Sequence, residues 1–158
     1  MPATIFGLPT HPLVVHAVVV LVPLACLLAL ASAVSPRFRQ WARWATPITA
    51  VVGLALVPVA TDSGEGLESR VGHSALIEKH SELADSLLPL MAVLALFVIV
   101  LTVLHRRGAR GAATIAVAAL VGLASVATLV QVVRIGHSGA NAVWHGTPAA
   151  RSGGGDEG

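Results

Sequence analysis

The sequence has few charged residues, a single cysteine and no tyrosine. Asp, Glu, Lys and Arg make up 11% of its 158 residues, against about 25% in an ordinary soluble domain. This argues against a soluble globule, and a hydrophobic content of 55% excludes a disordered chain. One cysteine excludes a disulfide scaffold and a cysteine-rich zinc module. The net charge of +2 is too small for a nucleic-acid-binding field.

Long apolar runs account for the hydrophobicity. A helix needs about 20 apolar residues to cross a bilayer core of about 30 Å, and four runs are long enough. Backbone amides in hydrocarbon must be bonded internally, so we expect helices. The sequence predicts an all-α integral membrane four-helix bundle within residues 1–146, followed by a disordered tail at 147–158. Its expected spans are residues 13–34, 41–60, 87–104 and 112–133.

The connections between the spans differ in charge. The first and third connections carry arginines and no acid, namely Arg37, Arg39, Arg43, Arg106, Arg107 and Arg110. The second connection, at 62–85, carries six acids, and helix formers at 74–85 predict a short extracytoplasmic helix leading into the third span. Because loops rich in Lys and Arg stay in the cytosol, we expect a multi-pass protein of the bacterial plasma membrane with both termini outside.

Seven histidines are the main candidates for chemistry, and six lie on the outer side of this topology. Ionisable groups in membrane helices are functional candidates, and neutral imidazole binds metals and haem. Haem b would be held by His16, inside the first span, and by His80 or His137, with Arg134 pairing a propionate. A Zn²⁺ or Cu²⁺ site would combine Glu78 or Glu82 with outer imidazoles. Those candidates are His11, His16, His73, His80 and His137. The third possibility is that these histidines only bond backbone carbonyls or face water.

Three stretches carry a family resemblance: GLPTHPLVVH at 7–16, the segment 61–85 with LIEKH at 76–80, and GHSGA at 136–140. Together they resemble a bacterial family of four-span predicted membrane proteins, classed as domain of unknown function 2231. The resemblance implies a four-helix membrane fold and a recurrent outer histidine set, here His11, His16 and His80. It also implies an association with redox or cytochrome-type modules, which favours haem. At His137 the sequence departs from the family pattern, in which an acid or a glycine is usual.

We therefore predict a protein of the lipid bilayer that binds haem b or a metal through outer histidines, for electron transfer or redox handling with a membrane redox partner. One alternative is a cofactor-free structural or accessory subunit. Another is a pH-responsive sensor or small transporter, and a homo-oligomer is compatible with each of these. No phosphate-binding glycine loop, nucleophile elbow or CxxC indicates an enzyme. No internal repeat is convincing in the sequence.

Overall fold

The computed structural model describes residues 4–5, 8–71 and 74–144, and within these ranges six helices follow a short strand pair. The strands β1 (Thr4–Ile5) and β2 (Leu8–Pro9) are antiparallel. The helices are α1 (Thr10–Val34), α2 (Pro36–Trp41), α3 (Ala45–Val71), α4 (Ala75–Asp85), α5 (Leu87–Arg106) and α6 (Ala112–Trp144). The all-α prediction is confirmed. The expected tail at 147–158 lies outside the described residues.

Four helical stretches are long and apolar enough to cross a membrane: His11–Val34, Ala45–Gly66, Ala75–Arg106 and Ala112–Trp144. Between 22 and 33% of each apolar window is buried inside the bundle. The remaining apolar surface needs a lipid environment, which agrees with the expected four-span protein. Helices α3 and α6 continue past the ends of the expected spans, because polar residues beyond the apolar run can stay helical.

Helix α4 is the helix expected between the second and third spans, and it does lead into α5. Ser74 caps its N-terminus, since the Ser74 Oγ accepts a hydrogen bond of 3.3 Å from the Ile77 amide. A single residue, Ser86, separates α4 from α5. Pro89 has no N–H to donate to the carbonyl of Asp85, which agrees with the break between the two helices at Ser86.

The arginines of the first and third connections gather at one end of the bundle, which we call the basic end; the opposite end is the histidine end. Arg39 is buried, and its Nε and Nη2 donate to the carbonyls of Ser32 and Ala33 at 2.7 and 3.1 Å. These carbonyls end α1 and have no partner within the helix. Burial lowers the pKa of the Arg39 guanidinium. Arg106 lies 4.7 Å from the ring centroid of Trp44, a cation–π contact.

The spanning helices pack in a ring. Helix α1 contacts α3 and α6, and α5 contacts the same two helices, so α1 and α5 are diagonally opposite. Fully buried side chains from all parts of the ring fill the centre, including Val22, Cys26, Met91, Leu94 and Val121. This arrangement places the N-terminus of α1, helix α4 and the C-terminal parts of α3 and α6 together at the histidine end.

Candidate functional site

His11 bridges α1 and α3 at the histidine end. Its Nδ1 lies 3.2 Å from the carbonyl oxygen of Ala60 and 3.1 Å from the Oγ of Ser63. The Ser63 hydroxyl in turn donates to the same Ala60 carbonyl at 2.9 Å. The ring is half-buried and is held by two acceptors on one turn of α3.

His80 is held in the same way between α4 and α6. Its Nδ1 lies 2.9 Å from the Oγ of Ser138. The Ser138 hydroxyl donates to the carbonyl of Ile135 at 2.9 Å, as Ser63 does to Ala60. His80 is also half-buried. Both imidazoles lie at the histidine end of the bundle.

A glycine follows each of these serines and gives its imidazole room. A Cβ at Gly64 would lie 3.0 Å from the Cε1 of His11, and one at Gly139 would lie 3.1 Å from the Cε1 of His80. Both separations are too short for an unstrained carbon contact. Each ring thus lies directly against the backbone of the neighbouring helix, with the serine fixing its Nδ1.

One of these hydrogen bonds determines which ring nitrogen of His11 carries the proton. A carbonyl can only accept, so Nδ1 of His11 is the donor to the Ala60 carbonyl, and in the neutral ring Nε2 keeps its lone pair. At His80 the partner is the Ser138 hydroxyl, which can either accept from Nδ1 or donate to it. Donation of one ring N–H to a carbonyl or hydroxyl is the arrangement that orients histidine ligands.

His11 and His80 have similar environments, and the buried residues of α1 and α5 have the same spacing from these two histidines. A shift of 69 residues carries His11 onto His80 and carries each buried residue of α1 onto a buried residue of α5. The pairs are Val18 and Leu87, Val22 and Met91, Ala25 and Leu94, Cys26 and Ala95, Ala29 and Val98, and Ser32 and Leu101. Heptad-like spacing is common in packed helices. What distinguishes these pairs is that the same shift of 69 residues also relates His11 to His80.

Helices α3 and α6 correspond in the same manner. A shift of 75 residues carries Ser63 and Gly64 onto Ser138 and Gly139, and it also matches three buried positions. These are Thr46 and Val121, Ala50 and Ser125, and Gly53 and Thr128. Together with the ring order, the two shifts match the buried positions of α1 with those of α5 and several buried positions of α3 with those of α6.

The remaining sequence candidates lie elsewhere. His16, expected inside the bundle, is exposed, and its Nδ1 donates to the Pro12 carbonyl one turn earlier. His137 is exposed. The residue of this segment that contacts His80 is the neighbouring Ser138. Arg134 is exposed on α6 and donates from Nη1 to the Oε1 of Gln131 at 3.3 Å. His73 lies outside the described residues.

The described part of the chain contains no group of three or more His, Cys, Asp or Glu side chains arranged to hold a metal ion. Glu78 and Glu82 are exposed on α4. Structural zinc sites normally take four protein ligands and catalytic ones three. The described residues thus supply a pair of imidazoles rather than a closed metal cage.

Comparison with known proteins agrees with the fold. The predicted membrane protein family DUF2231 matches residues 7–149. The chain belongs to this family. No curated protein and no solved structure matches it. The family resemblance seen in the sequence is confirmed, and the matched region of this DUF2231 protein includes both histidine environments.

Sequence reasoning missed four residues of the DUF2231 site: Ser63, Gly64, Ser138 and Gly139. A signal for them was present, because the dipeptide Ser-Gly occurs near the end of both α3 and α6. It was not decisive, since serine and glycine are common where a membrane helix leaves the lipid. Only the pairing of each dipeptide with a histidine on another helix distinguishes them.

Proposed function

We propose that this membrane protein binds haem b between His11 and His80 and takes part in electron transfer. The observation that supports the proposal is the matched pair of half-buried imidazoles at one end of the bundle, each with its Nδ1 hydrogen-bonded to a serine on another helix. Each imidazole would offer its Nε2 to the iron. A bound haem would supply a one-electron couple, and the chain would fix and orient its two ligands.

Haem is favoured over Zn²⁺ or Cu²⁺ by the number of ligands. Two axial imidazoles are enough to hold one haem iron within a bundle. A zinc ion would need a third or fourth protein ligand, and the described residues provide no such group. We propose His11 rather than His16 as the first ligand, because His16 is exposed whereas His11 is in contact with α3.

The proposed orientation follows from charge. Arginine-rich turns are retained in the cytosol, so the basic end would face the cytoplasm of a bacterium. The histidine end, both termini and helix α4 would then lie outside the plasma membrane. A redox partner would exchange electrons with the site at this outer face. A reporter fused at Ser74 tests the orientation: activity of a cytosolic reporter there would refute it.

The cofactor is tested on the full chain purified in a neutral detergent. Haem b is added and the Soret band is recorded, with elemental analysis of the unloaded protein for zinc and copper. We expect a Soret band typical of two imidazole ligands. His11→Ala and His80→Ala should each lose this spectrum. The exposed His16→Ala and His137→Ala variants are matched controls, which should keep it.

Three results would count against the proposal. A spectrum that is unchanged in both His11→Ala and His80→Ala would remove the pair as ligands. Bound zinc or copper without a Soret band would assign the pair to a metal instead. If the protein binds neither haem nor metal, a cofactor-free accessory subunit or a pH-responsive sensor would become the better reading, and a titration near neutral pH would distinguish the two.

A further inference from the structure

One cleft at the histidine end lies outside the imidazole pair. It opens between α4, the start of α5 and α6. Two cations, Lys79 and Arg134, line it together with Glu82, and Leu83 and Leu90 provide its apolar part. Within the part of the chain described by the structure, neither cation forms an ion pair with a carboxylate.

A buried amide fixes the position of Arg134. Gln131 is 6% exposed, and its Nε2 donates to the Leu83 carbonyl at 2.9 Å and to the Ser86 Oγ at 2.6 Å. Its Oε1 accepts the bond from Arg134 Nη1. The guanidinium has five N–H donors, so this one bond leaves donors for an anion.

The corresponding positions of the first half, α1–α3, carry fewer polar residues. The shift of 69 residues matches Leu13 with Glu82 and Ala17 with Ser86, and the shift of 75 residues matches Leu56 with Gln131 and Val59 with Arg134. These four positions of the first half are apolar, and Leu13 is exposed, whereas Lys79 corresponds to the polar Thr10. Polar groups of a membrane helix that have no polar counterpart in the matching helix are candidates for a binding function.

We infer that this cleft binds the phosphate head group of an anionic phospholipid. The positive charges of Lys79 and Arg134 match the charge of the phosphate, and Arg is suited to bidentate phosphate contacts. Leu83 and Leu90 lie beside the acyl chains of the same molecule. The inference concerns the protein without haem, so it does not depend on the proposed function.

The test uses native mass spectrometry of the full chain in a neutral detergent without added haem. Equal amounts of phosphatidylglycerol and phosphatidylcholine with the same acyl chains are supplied. We expect the protein to retain phosphatidylglycerol preferentially. Arg134→Gln should lower that preference about fivefold, the effect of removing one cation near anionic lipid. Arg134→Lys should keep most of it.

Arg110→Gln, an exposed arginine at the basic end, is the matched control and should change the preference little. Lys79→Gln, an exposed position on α4, provides a second variant if Arg134→Gln fails to fold. Equal retention of the two lipids by the unaltered protein would overturn the inference. An equal loss in Arg110→Gln and Arg134→Gln would also overturn it, because the attraction would then be general rather than local to the cleft.

Discussion

The contact between Gly139 and His80 allows a sharp test of the histidine environment. Gly139→Ala would place a methyl carbon 3.1 Å from Cε1 and 3.3 Å from Nδ1 of His80. The imidazole would have to move by a few tenths of an ångström. Gly136→Ala is the matched control, because Gly136 lies in the same helix and a Cβ there meets no atom within 4 Å.

The size of the effect follows from three contributions. Alanine is favoured over glycine inside a helix by about 1 kcal/mol, and this gain applies to both variants. At Gly139 the displaced imidazole leaves its preferred rotamer, at a cost of about 0.5–1.5 kcal/mol. It also weakens its bond to Ser138, worth about 0.5–1.5 kcal/mol. We therefore expect Gly139→Ala to be about 1–3 kcal/mol less stable than Gly136→Ala.

Reversible unfolding by SDS in mixed micelles, followed by circular dichroism, measures this difference. Nitrogen-15 NMR of the histidine side chains provides a second readout, since a displaced His80 should lose the hydrogen bond between its Nδ1 and Ser138. Equal free energies of unfolding for the two variants, with unchanged imidazole resonances, would refute the contact. Gly64→Ala should behave like Gly139→Ala, because its Cβ would meet His11 Cε1 at 3.0 Å.

Two further predictions concern stability in the same unfolding assay. Ser138→Ala should cost about 1 kcal/mol and Ser63→Ala less, because His11 keeps the Ala60 carbonyl as an acceptor; an equal or larger cost for Ser63→Ala would contradict this hydrogen-bond assignment. Arg39→Gln should destabilise the protein by about 1.5–3 kcal/mol because Ser32 and Ala33 lose charge-assisted bonds, whereas the exposed Arg37→Gln should have little effect. If the two arginine variants are equally stable, the C-terminal carbonyls of α1 do not depend on Arg39.

The sequence predicts the four membrane-capable helices because the decisive property is local. Apolar length and the requirement for internal backbone bonds identify four membrane helices without any knowledge of packing. Helix α4 is predictable for the same reason, since the Ser74 cap and the following helix formers are adjacent in the chain. Apolar length and the capping signal both lie within the sequence of a single helix.

Which residues form the site depends instead on how each helix is rotated about its own axis. His11 and His16 are about 140° apart around α1, so both cannot face the same neighbouring helix. Depth in the span favours His16, but the packing of α1 against α3 turns His11 inward and leaves His16 exposed. Rotation of a helix about its axis is set by its neighbours, which a single sequence does not reveal.

The correspondence between the two halves is difficult to detect in the sequence because packing conserves position rather than residue type. Corresponding buried pairs such as Cys26 and Ala95, or Ser32 and Leu101, differ in chemistry. In lipid many small or apolar residues can fill the same position, so the spacing of the buried positions is kept while the residue types differ. The histidines and the two Ser-Gly dipeptides keep their identity, and they are the residues that contact each other.

Each half of the bundle contains two crossings, so its chain enters and leaves on the same side of the membrane. Each half also has its own arginine-bearing turn, Arg37 to Arg43 in one and Arg106 to Arg110 in the other. A hairpin of this kind has a complete orientation signal and needs no help from its counterpart to insert. Two separate polypeptides divided near Ser74 would therefore be expected to adopt compatible orientations, and each would carry one complete histidine environment.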